Sequence, residues 1–208
     1  MLVEQGGLGM GFFPDPHDRD SSVPEEGGEP EWAAPPIDVI PIVVPILLVL
    51  GRSESAAVLL TGVTAYPTGL SVSVSARIRY RHPDGDLGLD LILPSPRHSD
   101  PSWHAERLKW GFEYVDGRRA TSVDPPPFDP SVPGPGRDWK PSHPMLQFNE
   151  ASANGARAVD VRCWLWPLPP PGRLRAACEW PAQGIDHTVH DLDAQLFLDA
   201  AARARPLW

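Results

Sequence analysis

Lysine is almost missing from this 208-residue chain; Lys109 and Lys140 are the only two. Lysine and arginine together number 18 against 27 acids, for a net charge of −9 with histidine neutral. No basic footprint for nucleic acid is present, which excludes that class of partner. Cysteine is also scarce. Cys163 and Cys178 stand alone, with no second Cys or His within a turn of either, so the pair has no zinc-site spacing and builds no disulfide scaffold. Long apolar runs are lacking. Ile37–Leu50 is too short to span a bilayer and is broken by Pro41 and Pro45, so no membrane partner is expected. Met1–Gly11 carries neither the basic start nor the apolar stretch of a secretion signal, and a cytoplasmic location is expected. Phosphate-binding loops, G-x-S-x-G elbows and dinucleotide fingerprints are absent too.

Proline and glycine are plentiful, at 27 and 18, and they cluster. Residues 1–36 hold eight acids and one arginine, with few large apolar side chains, and read as a disordered acidic tail. Within it, Leu8–Pro14 is either a docking motif or a plain terminus. Residues 37–208 are then the folded domain. Ile37–Leu50 is apolar on both faces, which fits either a strand buried on both sides or one that meets a partner chain, and Pro41 and Pro45 argue for an edge position or bulges.

Ala56–Tyr66 reads as a strand with a bulge at Gly62, followed by a tight turn at Pro67–Gly69. Residues 70–81 alternate strictly, with Val72, Val74, Ala76, Ile78 and Tyr80 inward and Arg77, Arg79 and Arg81 outward. Leu108, Trp110, Phe112 and Tyr114 form the next inward row, and Asp116-Gly117 signals a two-residue hairpin turn. Met145–Glu150 reads as a short strand.

Two further runs, Val159–Trp166 and Arg173–Trp180, flank the proline-rich stretch Pro167–Gly172 and are expected to pair as a hairpin. One register puts Cys163 opposite Cys178 on an apolar face, with Leu165 opposite Ala176 and Val161 opposite Trp180. On the other face it sets Arg162 against Glu179, Trp164 against Ala177 and Trp166 against Arg175. The opposed cysteines are either a redox pair or two small buried hydrophobes, and the second reading needs nothing beyond burial.

The chain ends in an expected helix over about 188–205, started by Thr188 and Asp191 and stopped by Pro206. Hairpins at short spacing without strand–helix alternation make the fold mainly β, an antiparallel β-sandwich with one C-terminal α-helix.

The segments Leu60–Gly69, Trp164–Gly172 and Cys178–Ile185, with the C-terminal Leu-Asp-Ala-Ala-Ala-Arg-Ala, resemble those of an uncharacterised cytoplasmic protein family of high-GC, actinobacterial-type bacteria. The likeness covers the folded body. It implies no activity and supplies no catalytic residues.

Several side-chain groups bear on function. His187 and His190, at i,i+3 on the expected helix, would need a third metal ligand from the loop of His82, Asp84, Asp86 and Asp90; a solvated helix start accounts for them equally. Asp84-Gly-Asp86-Leu-Gly-Leu-Asp90 lacks the full calcium-loop pattern. Arg77, Arg79 and Arg81 offer an outer face for an acidic partner. Trp110, Trp164, Trp166 and Trp180 offer either an aromatic platform for sugar or core and interface packing. The expectation is a non-catalytic interaction or assembly protein without cofactor or metal, whose partner is another protein or itself as a homo-oligomer. Its interaction residues are Arg77, Arg79, Arg81, Trp164, Trp166 and Arg175. A small-ligand or carbohydrate-binding sandwich is the alternative, and an enzyme built on His187 and His190 the third reading.

Overall fold

A computed structural model describes residues 30–79, 106–125, 139–153 and 157–208. Among the described residues the strands run β1 (Val39–Ile40), β2 (Ile42–Val44), β3 (Leu48–Arg52), β4 (Ala56–Ala65), β5 (Leu70–Ile78), β6 (Lys109–Glu113), β7 (Arg119–Thr121), β8 (Met145–Ala153), β9 (Ala158–Trp166), β10 (Arg173–Trp180), β11 (Ile185–Asp193) and β12 (Arg205–Pro206), with the helix α1 (Ala194–Ala201) before the last. All pairings are antiparallel. One sheet has the order β2-β4-β5-β9-β8, with β3 sharing the β4 edge beside β2; the other has the order β11-β10-β6-β7; β1 and β12 form a small ribbon. The alternating inward residues of the two large sheets make one core, from Val58, Leu60, Val72 and Val74 to Trp110, Phe112, Cys163, Leu165, Cys178 and Trp180. This is a β-sandwich with a helix near its C-terminal end.

The strand periods in the sequence carry through. The 70–78 alternation faces its valines inward, and Leu108, Trp110, Phe112 and Tyr114 are all buried. The β4–β5 register slips between Leu60 and Gly62, where the bulge was expected. The run at 37–50 does break at its prolines, into three short edge strands. At Asp116-Gly117 the loop is three residues rather than two. Tyr114 accepts from the Gly117 N–H and donates to the Arg118 carbonyl, with Gly117 at φ 84°.

The expected hairpin is not formed. Both runs are strands with the expected inward faces, but β9 pairs with β5 and β8 while β10 pairs with β6 and β11. The alternation that defines an inward face is the same whether the partner lies beside the strand or across the core. Six proline-rich residues in an extended form reach about 19 Å, enough to cross the roughly 10 Å between packed sheets. The loop is tied down as it crosses: Leu168 donates to the Thr68 carbonyl, and the Tyr114 hydroxyl to that of Pro167. The actual hairpin lies one connection later, where Pro181–Gly184, with Gly184 left-handed at φ 64°, joins β10 to β11.

That hairpin also corrects the helix. Residues 188–193 belong to β11, laddered to β10, and α1 begins only at Ala194. Its cap is Asp193, whose carboxylate accepts from the Gln195 N–H at 2.9 Å, rather than Thr188. Ala194, Phe197, Ala200 and Ala201 are its buried face.

Residues 30–36, assigned with the tail from sequence, pack on the body. Trp32 is buried, meets Trp139 edge-on at 5.1 Å and donates to its carbonyl. The Trp164 indole donates to the Glu31 carbonyl at 2.9 Å.

Candidate functional site

The residues singled out from sequence separate in the structure. Arg77 is half-exposed and bonded to Asp160 at 2.9 Å. Burial would raise the Asp160 carboxyl, but bonds from Ser75 and Arg77 hold it below its usual range. Arg79 is exposed at the end of β5, and its carbonyl accepts from Arg157. Arg81 lies outside the described residues, as do residues 1–29, His82, Asp84, Asp86 and Asp90. Trp110 and Trp180 are buried in the core, Trp164 is buried on the outer face of the larger sheet beneath Glu31 and beside Tyr66, and Trp166 is half-buried, so the four form no single exposed platform.

Cys163 and Cys178 are free buried thiols on strands of different sheets, and the ladder that was to oppose them does not exist. Burial pushes both up, Cys178 to about 12, which removes their nucleophilic form near neutral pH. His187 and His190 sit three apart on a strand and therefore face opposite sides. His190 donates from Nε2 to the Leu50 carbonyl at 2.8 Å. Among the described residues no cluster of three His, Cys, Asp or Glu could hold a metal, and no helix is long and apolar enough to cross a membrane.

Two surfaces stand out instead. The first is the edge made by residues 37–49. Val43 lies opposite Thr64 and Val49 opposite Leu59, which places them on the outer face of the larger sheet. Val43 and Leu47 are 70% and 73% exposed, and Ile37 is 88% exposed. Ile42, Val44, Ile46 and Leu48 pack against the core. Here the double-sided hydrophobicity of the sequence becomes one buried face and one face in water.

The second is a depression of about 350 Å³ on the outer face of the four-stranded sheet. Its floor is a cross-strand row of small or apolar residues: Thr121 opposite Gly111, Gly111 opposite Ala177, Ala177 opposite Val189. On one side the next outward row is charged with alternating sign, Arg119, Glu113, Arg175 and Asp191. Glu113 takes Arg119 at 2.6 Å on one oxygen and Arg175 at 2.8 Å on the other. Those two bonds hold its carboxyl below the usual range. On the other side Lys109 pairs with Glu179 at 2.6 Å, with His187 also on the lining.

Of the described residues named from sequence as interaction sites, only Arg175 lines this depression. It meets Glu113 rather than Trp166, because its neighbour is β6. The outward row Lys109, Gly111, Glu113 was readable in the sequence, but the partners that complete it depend on which strands pair.

Compared with known protein families, with characterised proteins and with solved structures, the chain matches none.

Proposed function

We propose that this is a non-catalytic protein-interaction or assembly protein, acting in the cytoplasm, that joins a protein partner through the apolar edge at residues 37–49. The observation that carries the reading is the exposure of Val43 and Leu47 beside core-facing Ile42, Val44, Ile46 and Leu48. Large apolar side chains grouped in water mark contact surfaces. Pro41 and Pro45 lack the N–H groups that strand addition needs, so the contact is made by side chains rather than by extending the sheet. The reactive groups described above favour binding over chemistry, since the thiols are held protonated and Glu113 is held ionised between two arginines.

A second copy of the chain is the partner to test first. An isologous contact needs only that one patch meet itself. Sedimentation velocity of the intact chain and of Val43→Glu with Leu47→Glu is the experiment. A dimer that the double substitution dissociates supports self-assembly; a monomer in both moves the partner to another protein. The depression on the other sheet favours a second reading, small-ligand binding.

A further inference from the structure

We propose that the depression over Gly111 and Ala177 is a binding site for a small organic carboxylate with an apolar body. The inference deepens the small-ligand reading and is independent of the apolar edge, which lies on the other sheet.

The shape comes from the sequence of the outward rows. Two charged rows, four residues apart along β6 at Lys109 and Glu113, stand roughly 13 Å apart at the backbone. The row between them carries Gly111 and Ala177 at its centre, and these cannot fill the gap. Thr121 and Val189 close its ends. The resulting furrow runs across the strands and is apolar at its base. Its volume lies in the lower part of the range that small-molecule sites occupy.

The polar wall comes from the Glu113 row. Arg119 and Arg175 face Glu113 and Asp191, and Arg173, opposite Asp193 in the next row, reaches Asp191 at 3.8 Å, so the wall is balanced in charge and what it offers is guanidinium donors. A guanidinium has five N–H donors. Arg119 directs only Nε and one terminal nitrogen at Glu113, and its side chain is 70% exposed. Arg175 directs one terminal nitrogen at Glu113 and Nε toward Asp191 at 3.5 Å. Each therefore keeps donors beyond Glu113, and Glu113 fixes the orientation of both. A ligand carboxylate accepts from those donors in charge-assisted bonds while its hydrocarbon part covers Ala177 and Val189. A phosphate without an apolar part would leave that floor in water, which is why the class is an organic acid.

The test is a titration of the ¹⁵N-labelled full chain with 4-methylpentanoate, with its neutral amide and with inorganic phosphate, following arginine Nε–H and backbone amide signals. The expected result is saturable shifts at Arg119, Arg175, Gly111 and Ala177 with the carboxylate, and at least about tenfold weaker binding of the amide and of phosphate, about 1.4 kcal/mol. Arg119→Gln, at an exposed position, should fold normally and lose most of the difference between acid and amide. Equal binding of the amide would overturn the carboxylate requirement. Equal binding of phosphate would overturn the apolar body. Shifts that do not saturate, or that fall outside this face, would overturn the site itself. Loss of dimerisation in the edge variant with carboxylate binding retained would leave this inference standing.

Discussion

His190 and Leu50 close one side of the sandwich. The imidazole Nε2 donates to the Leu50 carbonyl at 2.8 Å, and the Thr188 hydroxyl donates to the same oxygen, with the Cys178 carbonyl 3.1 Å away as a second acceptor. Leu50 is on the edge strand of one sheet and His190 on the edge strand of the other. Side chains thus join two edges that no backbone ladder connects, and they satisfy a carbonyl on a buried residue. Thr188→Val keeps the shape and removes the donor. It should cost about 1 kcal/mol, and Thr188→Val with His190→Leu about 1–3 kcal/mol. Urea unfolding checks this; an unchanged midpoint for the double variant would mean that the seam contributes nothing.

A second prediction concerns Gly111, at the floor of the depression. A Cβ there would lie 2.5 Å from the Ala120 carbonyl oxygen and 2.8 Å from Thr121 Cα. Both are backbone atoms of the paired strand and cannot rotate away. Gly111→Ala should therefore push β7 off β6 and destabilise by about 1–3 kcal/mol. Gly62, at the β4 bulge, has nothing within 4 Å of a Cβ, so Gly62→Ala should change stability by no more than about 0.5 kcal/mol. Equal effects of the two substitutions would refute the steric account.

The strand faces were legible in the sequence because period two survives any choice of partner. Val72, Val74, Ala76 and Ile78 point inward whether β5 lies at an edge or, as found, between β4 and β9. The pairing was not legible for the same reason. Cys163 and Cys178 both face the core, and an inward face looks alike for two strands of one sheet and two strands of facing sheets. The proline-rich loop offered a distinction. It is long enough to cross the core, whereas Pro181–Gly184 has the compact turn chemistry of a hairpin. The charged wall of the depression was hidden because Arg119, Glu113, Arg175 and Asp191 come from four strands spread over 79 positions, Glu113 to Asp191 inclusive. Residues 188–193 misled because Thr188 and Asp191 imitate a capping box, while the cap that operates is Asp193, five residues later.

The two arginines on Glu113 make a third prediction, about pH. Their bonds lower the carboxyl pKa in the folded chain relative to the unfolded one. A depressed folded pKa gives stability that is present above the unfolded value and is lost as pH falls through the folded value. Carboxyl chemical shifts should show Glu113 titrating below the ordinary glutamate range. Arg119→Gln should move that midpoint upward, since the Arg119 bond is the largest cause. A Glu113 midpoint that is ordinary in both proteins would show that the row is not formed in solution.

The fourth prediction separates the two readings of the cysteines. Both thiols are buried, and burial raises both pKa values, that of Cys178 to about 12. A thiol-specific disulfide reagent at neutral pH should leave the native chain almost unmodified. It should then label two thiols after denaturation, equally with and without prior reductant. Rapid native labelling would place at least one sulfur at the surface. A gain of thiols on reduction would restore the redox pair.

The final prediction locates the boundary of the folded body. Trp32 is buried among Trp139 and its neighbours, its indole donates to the Trp139 carbonyl at 3.1 Å, and the adjoining Glu31 carbonyl accepts from Trp164. Trp164 in turn meets Tyr66 edge-on at 5.5 Å, on the outer face of the larger sheet. The segment at 30–33 thus shields a large indole whose exposure would otherwise leave a wide apolar surface in water. Trp32→Ala should cost about 3 kcal/mol, near the lower end for truncating a buried tryptophan. It should also shift the fluorescence of the chain to longer wavelength, because Trp164 gains water. Glu31→Ala keeps the carbonyl that Trp164 uses and should change neither. If Trp32→Ala leaves both the melting temperature and the emission unaltered, residues 30–36 belong to the tail after all.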